Sequence, residues 1–387
     1  MDASGFISGK LKFQGNIAVI SITVSFLIII IAVAVSSGFR HAIRDGVAAV
    51  MGDVQITSIG SSSFGDSNPI PSELPSHDKI LSIPGVASTS PVAFGAGIVK
   101  NEDIIHGIIL KGSSDYNDSS MTVSIPRRLS EITGLKEGDP MVTYFVGEKM
   151  KVRKFTVASV YEDLVAFDDN LIVNASLQDV QRVNGWTPSE ASLHEVRLLP
   201  QARGESLSRE ISDRIGATLM LSEDEDEQSL MTTTSANRYP QLFDWLRLLD
   251  FNVVFILILM IIVAGFNMIS GLLIMLFRNI STIGTLKTLG MTDRSIGKVF
   301  LRVSSGVVLK GMLLGNGLGL LFCLVQSLTH FIKLDPASYF VPYVPVHVNI
   351  PLILGADVFA YFAIMLLLLI PTLFIARVDP SQTVKMD

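Results

Sequence analysis

FNVVFILILMIIVAGFNMISGLLIMLF, residues 251–277, carries no charge, and RNISTIGTLKTLG, residues 278–290, follows at once. An uncharged apolar run longer than about 18 residues is long enough to cross a bilayer as a helix. The segment behind it is patterned differently. Ile280, Ile283, Leu286 and Leu289 recur at helical spacing, Lys287 sits near the end, and Gly290 can take the left-handed conformation that closes a helix. The expectation is a short amphipathic helix held at the membrane surface between two spans. The rest of the chain reads as machinery attached to it.

The 387 residues are 49% hydrophobic and 17% charged, an average that conceals four strongly apolar stretches around one polar region of domain size. Lys10 and Lys12 precede the first stretch, 17–35. A secretory leader has this charge pattern, and residues 32–34 even supply an A-x-A site. The apolar run exceeds the usual leader core of about 7–15 residues, which favours an uncleaved span. Phe39, Ile43, Val47 and Val50 extend it as a stalk to Gly52, so 17–52 reads as span and stalk after an N-terminal segment, 1–16. Pro240 opens a second stalk marked by Leu242, Trp245, Leu246 and Leu249, which feeds the span ending at 277. A third span, 307–332, carries Gly311, Gly315 and Gly319 four apart, a ridge of small residues that admits a close neighbouring helix. That neighbour is either in the same chain or in a second copy. Residues 350–376 form the fourth span, after a loop at 333–349, and 377–387 form a tail.

Residues 53–240 form the soluble region. At each end a strand, a helix and a strand follow one another: 53–57, 76–82 and 86–92 first, then 194–199, 204–215 and 217–221. This pattern suggests a split α/β lobe, 53–93 with 190–240, interrupted by a β-rich lobe at 94–189. Turn signals such as Lys111-Gly112, 137–140 and Gly147-Glu148 separate its strands, at 142–146, 154–160 and 170–174, and a short helix at 177–183 closes it. The fold class is therefore a four-span helical membrane protein with a large α+β domain between spans 1 and 2. The acidic run at 223–227 lacks the spaced ligands and turn glycine of a calcium loop and reads as a solvated loop.

Orientation follows from loop charge. The 278–310 connection holds Arg278, Lys287, Arg294, Lys298, Arg302 and Lys310 against Asp293 alone. By the positive-inside rule this connection and both termini are cytoplasmic, and 53–240 lies outside the membrane on the far face. The cytoplasmic region between the second and third spans is 278–306.

Several chemistries lack their residues. Gly5–Leu11 is one residue short of a phosphate-binding loop and lacks its hydroxyl, so no ATP site is expected on this chain. The six histidines are scattered, and no metal site, zinc-protease pattern or G-x-S-x-G elbow is expected. Asp357 is the only acid within a span and is expected at its outer boundary, in a satisfied interfacial position. A single cysteine, Cys323, rules out an internal disulfide. An enzyme is not expected.

The run 283–290 after a charge-free span resembles the "IGILKALGA" stretch of the macrolide-exporter and cell-division permease superfamily. More closely, the chain is similar to the lipoprotein-releasing ABC transporter permease subunits. The matching residues are Ser37-Gly38-Phe39, Trp245-Leu246, 248–252, 266–270, 311–319 and 334–346. One departure is Thr282, where many relatives carry an acid before the Ile-Gly pair. The resemblance implies a cytoplasmic ATPase dimer that binds ATP and magnesium, a second permease chain (identical or paralogous), no cofactor on this chain, and an inner-membrane location. It implies that Ile280–Leu289 is the coupling helix, with Ile283 and Leu286 docked in the ATPase, Lys287 at the rim and Gly290 at the turn. Its cargo would be acylated lipoproteins leaving the outer leaflet for a periplasmic carrier. The residues alone leave ATPase docking and an interfacial helix on lipid headgroups equal. Phe39, Ile43, Phe251 and Phe255 are candidates for a lipid-facing cleft, with ordinary stalk packing an equal reading. The same architecture also serves drug or peptide exporters and scaffolds that regulate a wall hydrolase.

Overall fold

The computed structural model describes residues 16–60, 68–116, 120–145, 150–162 and 171–372. The N-terminal segment before Asn16, the Gly147-Glu148 turn, the end of the fourth span and the tail at 377–387 lie outside them. Two compact units result. One holds the chain up to His41, Trp245–Lys333 and the chain from Tyr343 on; the other holds Ala42–Asp244 and Leu334–Pro342.

The helical unit draws on four long helices: Asn16–Met51, Pro240–Arg278, Asp293–Thr329 and Ile350–Leu367. The last continues after a break into Leu369–Thr372. All four are long and apolar enough to cross a membrane. Their shared core follows the helical period. Ile22, Phe26 and Ile30 come from the first, Ala264, Met268 and Leu272 from the second, Ile296 and Phe300 from the third, and Ala360, Ile364 and Leu368 from the fourth. The glycine ridge faces the first helix. A Cβ at Gly315 would lie 2.6 Å from the Thr23 carbonyl oxygen, one at Gly311 2.6 Å from Ile22, and one at Gly319 3.0 Å from Ile30. The partner of that ridge is in the same chain.

Side-chain hydrogen bonds join the spans where apolar packing carries no orientation of its own. Asn267 donates to Ser21, Ser305 and Tyr361 share a bond of 2.7 Å, and Asn316 donates to Asp357 at 2.6 Å. Asp357, expected at the outer boundary of its span, is buried on the fourth helix against Asn316 of the third. Its neighbour Asn316 lies inside a span, and a carboxylate placed against it needs no headgroup.

In the other unit, strands β1 (Val54–Ser58), β3 (Val86–Asn101), β4 (Ile104–Ser113), β5 (Thr122–Pro126), β6 (Pro140–Phe145), β7 (Lys151–Tyr161), β8 (Leu171–Ser176), β10 (Leu193–Leu198) and β11 (Leu230–Thr234) form one sheet. A two-stranded ribbon pairs β2 (Ile70–Pro71) with β9 (Glu190–Ala191). The sheet order is β11-β1-β10-β3-β4-β8-β5-β7-β6, and β6 also pairs back onto β3. The β-rich part is therefore a closed barrel, filled by residues such as Leu110, Val123, Phe155 and Val173. β3 serves both parts: residues 86–92 pair with β10, and residues 92–101 pair with β4 in the barrel wall. The 93/94 boundary falls inside this strand.

Two local expectations change. The expected strand at 217–221 is the last turn of the helix Glu205–Met220, because Ile211, Ile215 and Leu219, four apart, all face the core. The returning strand is β11. The acidic run is not wholly solvated, since Glu227 is fully buried and accepts from the Ser76 amide (2.8 Å) and hydroxyl (2.6 Å). It thereby satisfies donors at the start of the helix His77–Leu81.

Replacing Gly315 by valine is expected to force the third helix off the first at a cost of about 1–3 kcal/mol. A lowered melting temperature of the detergent-solubilised chain checks this; an unchanged one contradicts the packing. A second expectation concerns the buried His194, whose Nε2 donates to the Pro71 carbonyl at 2.8 Å. Burial holds its pKa below the ordinary 6.5. The unfolded chain therefore binds the proton first, and this contribution to stability falls as pH drops below 6.5. Amide hydrogen exchange at Ile70, Ser72 and residues 190–194 is expected to quicken with acidification, less so in His194→Gln.

Candidate functional site: the short helix between two spans

The segment 278–290 folds as an isolated turn of machinery because both of its ends are closed. The second long helix stops at Arg278, the short helix runs Ile280–Thr288, and the third begins at Asp293. Gly290 takes φ +84°, its amide bonds to Lys287 O (2.9 Å), and the Met291 amide reaches Leu286 O (3.0 Å). This pair of bonds is the Schellman closure, available because glycine tolerates the left-handed conformation. Thr292 then caps the third helix by accepting from the Ser295 amide.

The apolar stripe points inward. Ile283 is 1% exposed and packs in the core with residues of the spans, while half-buried Leu286 packs against that core. Ile280 is also half-buried. Ile283 and Leu286, expected as the docked face, are thus turned into this chain's own bundle. The physical reason is proximity: the spans on either side offer an apolar surface that the stripe covers before any partner arrives. Lys287, expected at a rim, forms an ion pair with Asp293 at 2.9 Å and is largely covered.

What faces outward is Ser281, Thr282, Thr285, Thr288, Leu289 and Gly290, with Leu289 78% exposed. Thr285 and Thr288 spend their hydroxyl donors on the backbone, at Ser281 O (3.0 Å) and Thr285 O (2.7 Å). The exposed strip is small, uncharged and tipped by one leucine. A groove that accepts it needs shape and apolar character and no counter-charge.

The four candidate lipid-facing residues differ in exposure. Phe39 is buried edge-on against Trp245, with ring centroids 5.6 Å apart. Ile43 is fully buried, whereas Phe251 and Phe255 are 70% and 60% exposed along the second helix.

The structure also gathers residues that sequence reasoning left apart. Ser36 and Arg40 both donate to Asp250, His41 stacks on His347 at 4.5 Å, and the His347 amide donates to Ala34 O at 3.1 Å. Gly38 lies so close to the Pro345 carbonyl that no Cβ fits. Three segments distant in sequence, around 36–41, 245–250 and 345–347, thus meet. The signal of this in the sequence was that Ser37-Gly38-Phe39, Trp245-Leu246 with 248–252, and 334–346 all stood among the residues that carry the resemblance. Among the described residues no group of His, Cys, Asp and Glu is arranged to hold a metal ion.

Residues 254–380 match the family described as FtsX-like permease C-terminal. The lipoprotein-releasing system transmembrane protein LolC of Xylella fastidiosa strain 9a5c is 21% identical, with 98% of this chain and 95% of that protein covered. LolC of Neisseria meningitidis serogroup B is 21% identical over 88% of this chain and 86% of its own. Among solved structures, the periplasmic region of MacB from Actinobacillus actinomycetemcomitans is 12% identical, with a TM-score of 0.33, 50% of this chain and 95% of that one. The extracellular domain of the noncanonic ABC-type transporter YknZ from Gram-positive bacteria gives 11% and 0.27, over 47% and 99%. Residues 254–380 thus match the FtsX-like permease C-terminal family, and over nearly its whole length the chain is similar, at 21% identity, to a lipoprotein-releasing system transmembrane protein.

Proposed function

We propose that this chain is the permease subunit of an ABC transporter of the mechanotransmission type. A separate cytoplasmic ATPase dimer hydrolyses ATP beneath two permease chains, this one and an identical or paralogous partner. The movement extracts acylated lipoproteins from the outer leaflet of the inner membrane and hands them to a periplasmic carrier. Both termini and the short helix are cytoplasmic, and residues 53–240 are periplasmic. The near full-length similarity to LolC proteins supports the choice of cargo.

The observation that carries the reading is the exposed strip of the short helix. It is held rigidly by Ile283 beneath it and by the Lys287–Asp293 pair beside it. An interfacial helix lays its apolar face on lipid and its basic residues at the headgroups. Here the apolar face is already occupied and the lysine is already paired. The remaining surface suits a protein groove, where burying Leu289 contributes about 1.5–3 kcal/mol.

Leu289→Asp and Thr285→Arg are expected to abolish co-purification of the ATPase while leaving membrane insertion and melting temperature unchanged. ATPase recovered at normal yield and activity would refute the docking surface. Ile283→Asp is expected to behave differently, lowering the melting temperature because it places a charge in the bundle. For the topology, a cysteine at Thr285 should react with an impermeant reagent only from the cytoplasmic side, and one at Met231 only from the periplasmic side. For the cargo, ATP hydrolysis by the reconstituted complex should rise with acylated lipoprotein and not with its unacylated form.

A further inference from the structure

The fourth long helix turns Ile353, Asp357, Ala360 and Ile364 inward, so a carboxyl stands in a row of apolar side chains. Asp357 is 4% exposed. One helical turn further on, Tyr361 shares its hydroxyl bond of 2.7 Å with Ser305, so the third and fourth helices meet through two polar contacts. The hydroxyl pair is complete in itself. The carboxyl pair is not.

Asn316 Nδ2 donates to Asp357 Oδ2 at 2.6 Å. Asp357 Oδ1 and Asn316 Oδ1 are both shielded from solvent, and neither receives a hydrogen bond. An ionised carboxylate and an amide carbonyl can only accept, so these two oxygens cannot satisfy each other. Turning the amide round gives no relief, because its carbonyl would then face the carboxylate and leave that group with no donor. What the pocket lacks is a donor or a cation that both oxygens can share.

Charge narrows the choice. Among the described residues Asn316 is the side chain bonded to Asp357, and no ion pair reaches it. Asn316 supplies a hydrogen bond and no charge. An isolated ionised carboxylate is too costly in apolar surroundings to persist without neutralisation, and ionisable groups inside a membrane bundle are ordinarily paired or hold an ion. A water molecule would bond to both oxygens and leave the charge in place. A divalent ion such as calcium takes about six oxygen ligands or more, beyond what an acid and an amide provide.

We propose that Asp357 Oδ1 and Asn316 Oδ1 form a binding site for one unit of positive charge, a proton or a sodium ion, which clamps the fourth helix to the third. As a proton, the charge sits on the Asp357 carboxyl and the resulting O–H donates to Asn316 Oδ1. As sodium, it is shared by the two oxygens. The site rests on the geometry of the helical unit and is independent of the cargo and ATPase assigned above.

The test uses the full-length chain in phosphatidylcholine vesicles at neutral pH, with choline chloride as the only salt. Infrared difference spectra of the parent against Asp357→Asn report a proton as a carboxylic-acid C=O stretching band that shifts on deuterium exchange. If sodium is the occupant, that band is missing, and replacing choline by sodium raises the melting temperature of the parent and not of Asp357→Asn. Asn316→Leu is expected to shift the band or to remove the response to sodium; no change in either overturns the part assigned to Asn316. Neither a band nor a response to sodium in the parent overturns the site, leaving a carboxylate bonded by water alone. Should Asp357→Asn fail to reconstitute, dicyclohexylcarbodiimide, which reacts with protonated carboxyls in apolar surroundings, keeps the test on the parent chain. Modification of Asp357, located by mass spectrometry and slowed by added sodium if sodium competes, supports the site. An unmodified Asp357 in sodium-free buffer overturns it.

Discussion

A helix inside hydrocarbon cannot end there, because its last four carbonyls would have no donor. Every other feature of this chain is arranged around where its helices are allowed to stop. The first long helix runs 36 residues, well past the roughly 20 that a bilayer requires, and ends at Met51 where Lys111, Gln55 and Gly52 supply donors. The second starts at Pro240, which has no amide hydrogen and so leaves no donor in want of an acceptor. Between these two points the chain uses the full variety of strand pairing.

At the other end of the second helix the same constraint gives the opposite solution. Arg278 ends the span, and the chain turns through nine residues of helix, Ile280–Thr288, before Thr292 caps the next one. So short a helix has little stability of its own. It is held by Ile283 in the bundle core, by the Gly290 closure and by the Lys287–Asp293 pair. That anchoring makes its outer strip a fixed surface, as the proposed docking of a partner requires.

The spans themselves are joined by a few specific contacts. Hydrocarbon is as apolar as leucine, so burial alone does not choose which helix faces which. Gly311, Gly315 and Gly319 admit the backbone of the first helix, and the Asn316–Asp357 and Ser305–Tyr361 bonds pair the third helix with the fourth. In the sheet unit the equivalent role falls to β3, whose 16 residues run from the open sheet into the barrel and make the two parts one sheet.

Much of this was legible from residue order because it depends on local properties. Charge-free runs mark spans, glycine after a helical stripe marks a stop, and alternating runs between turn signals mark strands. The family resemblance was carried by the same local motifs. What residue order left open was which surface each stripe covers. Ile283 and Leu286 had the period of a docking face, yet Ile283 lies in the bundle core with Leu286 half-buried against it, 217–221 passed for a strand until Ile211, Ile215 and Leu219 aligned on one helical face, and Glu227 left its acidic run to bond Ser76. Periodicity says that a face is apolar; only the assembled chain says what lies against it, because that depends on residues hundreds of positions away, as Ser36 depends on Asp250.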